Sequence, residues 1–168
     1  MIGVRKGMST SQTPSPSPTV GTRAPNFKLP ASTEETISLA DYKGQRVVLY
    51  FYPRADTPGC TKEACGFRDA IAGYKKLGVP VFGVSPDPVT DVKKFAEKFK
   101  LNFPLLADED HAVCENYGVW QEKSMYGKKY MGAARMTFII GPDGKIEHVF
   151  EKVKPEGHDQ EVLAYLKS

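Results

Sequence analysis

Apolar positions along this chain change period several times, and each change marks an element. Residues 46–52 are β-branched and aromatic, which predicts a buried strand. Beyond Thr57 the spacing becomes helical. Cys60, Ala64, Phe67, Ile71 and Tyr74 recur at intervals of three and four, one face of a helix ending near Leu77-Gly78. Residues 79–84 read as a second buried strand. Residues 88–99 read as a helix with Val89, Val92, Phe95, Ala96 and Phe99 on one side, and 103–106 as a short strand. Asp108 is placed to cap a further helix that runs to Tyr117 and is closed by Gly118. Residues 136–140 and 145–150 flank Gly141-Pro142-Asp143-Gly144, a hairpin signal, and 156–166 predict a last amphipathic helix. Upstream, 24–29 and 36–39 suggest a short hairpin, and 39–44 a turn into the first long strand. The order predicts an α/β fold, a mixed central β-sheet flanked by helices on both faces.

The first 20 residues stand apart as a Ser/Pro-rich tail, with Pro14, Pro16 and Pro18 alternating with serines. That composition builds no core and is expected to be disordered, leaving 21–168 as a single domain. At 40% hydrophobic residues this length buries a substantial core. The longest apolar run, 47–52, is far short of the roughly 18 residues a membrane span needs. Residues 1–33 hold Arg5, Lys6, Arg23 and Lys28 and no acid, leaving 19 cations against 20 anions in the rest. A nearly neutral body offers nucleic acid no footprint. The acid-free tail has the composition of a transit peptide, but its prolines prevent an amphipathic helix and no apolar secretion segment is present. A cytoplasmic protein is expected, with Met8 a second candidate start.

Charge changes little; the cysteines change more. Thr57 reads as an N-cap and Pro58 as the first helical residue, so Cys60 falls in the first turn. There the unpaired backbone N–H groups and the positive end of the helix dipole favour an anion such as a thiolate. First-turn cysteines have pKa values lowered to about 3.5–7.5. The bland alternative is a small buried hydrophobe. Cys114 has no cap or cation specified nearby and reads as packing, with a backup thiol role as its rival. Cys60, Cys65, Cys114 and His111 lack the paired spacing of a zinc site, and His148 and His158 look like ordinary polar positions.

Pro53-x-x-x-Thr57-x-x-Cys60 resembles the peroxiredoxin active-site motif. Thr57-Pro58-Gly59-Cys60-Thr61-x-x-Ala64-Cys65 is similar to its Q-type branch, also called bacterioferritin comigratory protein. The resemblance continues through Tyr117-Gly118-Val119-Trp120 and Gly127-Lys128 to Arg135-x-Thr137-Phe138, all of the chain except its tail. It implies a thioredoxin-like fold and a thiol-dependent peroxidase without metal or cofactor. It also implies Cys60 as attacking sulfur, Cys65 as resolving thiol, Thr57 orienting the peroxide, Pro53 shielding the site and Arg135 as fixed cation. Glu63 could brace Arg135 through a bidentate contact. The implied partners are a peroxide, hydrogen peroxide or organic, and a thioredoxin-like dithiol reductant, acting on a monomer or at most a weak dimer. A thiol–disulfide oxidoreductase and a non-catalytic peroxide sensor or chaperone are the alternatives; the lack of a Cys-x-x-Cys pair speaks against the first. Five residues of ideal helix hold the Cα atoms of Cys60 and Cys65 more than about 8 Å apart, so a bond between them would require the helix to unwind.

Overall fold

The computed structural model describes residues 18–168; all of the expected tail except residues 18–20 lies outside them. The strands are β1 (Lys28–Pro30), β2 (Thr36–Ser38), β3 (Val47–Phe51), β4 (Val81–Ser85), β5 (Leu105–Ala107), β6 (Trp120–Met125), β7 (Lys128–Ala133), β8 (Met136–Ile140) and β9 (Ile146–Phe150). The helices are α1 (Pro58–Lys76), α2 (Val89–Lys98), α3 (Ala112–Asn116) and α4 (His158–Lys167). Five strands form the central sheet in the order β9-β8-β3-β4-β5. β3, β4 and β5 run parallel; β8 pairs antiparallel with β3, and β9 pairs antiparallel with β8 at the edge. This mixed sheet with helices on both faces is the thioredoxin-like arrangement.

β3 is buried along its whole length and sends alternate side chains to two cores, as the pleat requires. Val47, Leu49 and Phe51 join Phe82, Phe138, Tyr117 and Cys114 beneath α3 and the β1–β2 hairpin. Val48, Tyr50 and Tyr52 join Cys60, Phe67, Tyr74, Phe95 and Val162 beneath α1, α2 and α4. Tyr50 stacks on Phe67 with ring centroids 4.7 Å apart, which locks the middle of α1 onto the sheet.

Two local expectations change. The helix expected over 108–117 is only the five residues of α3, entered through His111 in the left-handed region (φ 53°). Asp108 acts from outside it, its two carboxylate oxygens accepting the N–H groups of Val113 (3.2 Å) and Cys114 (2.7 Å). The β6–β7 hairpin was not foreseen. Its turn, Tyr126-Gly127, has positive φ at both residues (53° and 77°), the geometry that joins two-residue antiparallel hairpins.

Candidate active site

The site forms where β3 ends and α1 begins. Tyr52 is buried, and the chain then crosses half-buried Pro53 into a short loop. Buried Asp87, just past β4, holds that loop by accepting the Ala55 N–H at 2.8 Å. Thr57 is the N-cap in backbone conformation, but its hydroxyl does not cap. It donates instead to the Arg54 carbonyl at 2.9 Å, bracing the loop and leaving its lone pairs open. Pro58 then occupies the first helical position, where its missing N–H costs nothing.

Cys60 is 1% exposed, but its surroundings are not those of a packing cysteine. Arg135, in the bend between β7 and β8, directs Nη2 at the Cys60 Sγ (3.4 Å) and Nη1 at Glu63 Oε1 (2.7 Å). The Val153 N–H donates to the Arg135 carbonyl at 3.3 Å, fixing the bend from behind. Gly59 leaves the space the guanidinium fills: a Cβ there would lie 3.2 Å from Nη2 and 3.4 Å from Cγ of Pro155. Glu63 touches Arg135 through one oxygen rather than two, and Oε2 has no hydrogen-bond partner among the described residues. Burial pushes the Glu63 carboxyl up to about 7, against the opposing pull of Arg135. For Arg135 burial lowers the pKa, but Cys60 and Glu63 raise it by more, so the net movement is upward. The arrangement is one fork-shaped cation, 17% exposed, spanning a buried sulfur and a buried carboxyl.

Cys65 lies further along the same unbroken helix, half-buried, and all three thiols are free. Cys114 is fully buried, and desolvation followed by Asp108 drives its thiol far up, which keeps it uncharged. His158 is a correction. It is buried under β8, with Nε2 2.7 Å from Thr137 Oγ1 and Nδ1 2.8 Å from Glu161 Oε1. Burial lowers its pKa, against Glu161. It ties the start of α4 to the strand that follows Arg135. His148 stacks on Tyr165 with centroids 4.5 Å apart, an ordinary packing role. Asp87 and Lys123 also belong to this neighbourhood and carried no local signal. Asp87 finds its partner 32 residues away, and Lys123 finds its own across the unforeseen hairpin. No three His, Cys, Asp or Glu side chains converge as metal ligands among the described residues.

Residues 20–149 match the model of the AhpC/TSA family. The chain is 54% identical over 147 residues to the peroxiredoxin Bcp of Escherichia coli, covering 88% of this chain and 94% of that protein. It is 45% identical to the Bcp of Bacillus subtilis, over 88% of this chain and 94% of the relative. Among solved structures, a PrxQ of Xylella fastidiosa superposes with a TM-score of 0.86 at 35% identity, covering 91% of this chain and 98% of that one. A bacterioferritin comigratory protein of Xanthomonas campestris, described for its alkyl peroxide reduction activity, gives 0.80 at 38% identity, with coverages of 84% and 90%.

Proposed function

Since the chain belongs to the AhpC/TSA family, among its Bcp and Q-type peroxiredoxins, and is a thiol-dependent peroxidase, we propose that Cys60 is the sulfur that attacks the peroxide. The observation that carries this is the Arg135 fork between Cys60 Sγ and Glu63. A guanidinium aimed at the sulfur is placed to meet the charge that develops on a peroxide oxygen. The thiolate attacks the distal oxygen of the hydroperoxide and the O–O bond breaks. The departing alkoxide or hydroxide takes up a proton and leaves as alcohol or water. Sulfur is oxidised to a sulfenic acid as the peroxide is reduced. Thr57, its hydroxyl proton committed to Arg54, orients the peroxide by accepting its O–H, and Pro53 keeps bulk water from the sulfur.

Cys65 then attacks the sulfenic sulfur, expels water and closes a Cys60–Cys65 disulfide. In a continuous α1 the two Cα atoms lie roughly 8.6 Å apart by helix geometry, beyond the ~7 Å limit for a disulfide. The first turns therefore open before the bond forms. A thioredoxin-like dithiol reduces the disulfide by thiol exchange and the helix rewinds. Hydrogen peroxide and organic hydroperoxides are the substrates, and the protein works as a monomer in the reducing cytoplasm. Among the described residues no helix is long and apolar enough to cross a membrane.

Mass mapping after one equivalent of peroxide tests the route. The expected product is a Cys60–Cys65 disulfide in the wild type and a trapped sulfenic acid on Cys60 in Cys65→Ser. Undiminished thioredoxin-linked turnover in Cys65→Ser would refute Cys65 as the resolving thiol.

A further inference from the structure

The β6–β7 hairpin brings a second cation to the site. Lys123 pairs in register with Tyr130, and its side chain turns inward across Gly132. A Cβ on that glycine would lie 3.4 Å from Lys123 Cδ and 3.6 Å from Cε, ordinary van der Waals distances, so the lysine stem lies packed over the glycine. Its ammonium donates to the Ala133 carbonyl, two residues before Arg135. Lys128 and Lys129 of the same hairpin stay exposed, while Lys123 is half-buried. Burying an ammonium is costly, and a neutral carbonyl does not offset a whole charge. Burial pushes the Lys123 pKa down and Arg135 pushes it the same way, while the Cys60 sulfur pulls it back.

The bend that presents Arg135 is thus tied by three hydrogen bonds to separate stretches of chain. The Ala134 N–H bonds to the Val119 carbonyl (2.7 Å), the Val153 N–H holds the Arg135 carbonyl, and Lys123 holds Ala133. Lys123 is the one side chain among these. We propose that Lys123 is a positioning residue for the oxidation of Cys60, fixing the bend that carries Arg135 and holding a second positive charge on that bend. This rests on Cys60 being the attacking sulfur. Among the described residues, the charged and titratable groups that act on Cys60 or on Arg135 include Glu63 from α1, Tyr50 from β3 and Tyr52 just past it, Arg135 from the bend, Lys123 from β6 and His158 from α4.

The experiment is a stopped-flow measurement of the first oxidation step against pH for the wild type, Lys123→Met and Lys123→Gln, all as full chains with hydrogen peroxide. Lys123→Met removes donor and charge, and is expected to be about tenfold slower at neutral pH, with its pH–rate profile moved to higher pH. Lys123→Gln keeps an N–H for Ala133; it should recover part of the rate and keep the displaced profile. Melting temperatures report folding separately, and if Lys123→Met does not fold, Lys123→Gln carries the comparison alone. A wild-type pH profile in the folded variants overturns the assignment of Lys123. A wild type whose Cys60 does not react with peroxide overturns the proposed function instead.

Discussion

Replacing Glu63 by Gln should make the protein more stable at alkaline pH, although it removes a charged partner from Arg135. The carboxyl is buried and its pKa is raised from 4.5 to about 7 in the folded state. The native protein therefore holds this proton over a range in which the unfolded chain has released it. A group raised in this way contributes stability that is fully present below the unfolded pKa and is lost as pH rises through the folded one. The window is thus about pH 4.5 to 7, and a difference of about 2.5 pH units is worth about 3 kcal/mol. Glutamine resembles the protonated acid in shape and charge, so the two proteins should nearly coincide at pH 4. At pH 8 the variant should lead by about 3 kcal/mol. Urea unfolding of both proteins at a series of pH values measures the gap, and titrations common to the two cancel in the difference. A gap constant from pH 4 to 8 would refute the burial argument. Peroxide reduction should suffer even as stability rises, because Arg135 loses the anion that aims it.

Arg135→Lys should lose roughly tenfold or more in the first oxidation step, about 1.4 kcal/mol in barrier, because an ammonium cannot span Cys60 and Glu63 together; a wild-type rate would show that another cation serves the sulfur. Cys114→Ala should leave steady-state turnover within about a factor of two, its cost appearing instead as lost core packing, and a tenfold loss of turnover with stability intact would overturn that role. Gly59→Ala places a methyl 3.2 Å from Arg135 Nη2, so it should slow the first oxidation several-fold while strengthening the helix by about 1 kcal/mol. An unchanged first step would show that the guanidinium yields freely.

The β3–α1 unit was legible because everything that specifies it is local. The apolar run, the Thr57-Pro58 start and the three-and-four spacing after Cys60 all lie within one stretch of chain. The β8–β9 hairpin was legible for the same reason, through Gly141-Pro142-Asp143-Gly144. The β6–β7 hairpin was not. Its strands, from Trp120 to Ala133, are mostly exposed and polar and show no clean alternation, and its turn uses Tyr126 where Asn or Asp would have been a signal. Lys123 was hidden with it. His158 and Asp87 were missed for a different reason: each is defined by a partner far along the chain, Thr137 for one and Ala55 for the other. The Thr57 hydroxyl shows the limit of local rules, since a cap-forming residue in cap conformation turned to the Arg54 carbonyl. Gly59 and Gly66 are residue types that weaken a helix, which suits the opening proposed for α1. In the structure each is also a gap filled by a neighbour, Arg135 at the first and the Asp159 carboxylate, 2.5 Å from a Cβ, at the second.

Cys114, buried in the opposite core on a short helix whose Val113 and Cys114 N–H groups Asp108 accepts, has a consequence for how a redox partner reads this protein. With that thiol withdrawn, the two remaining sulfurs share one helix, and on the proposed route oxidation is recorded as a loss of helical order around them. A reductant docking there would recognise a loosened segment, a shape the reduced protein does not present. Transferring its electrons would restore the helix and erase the surface it had bound. Discharge of the partner would thus be built into repair of the fold, with no separate release step.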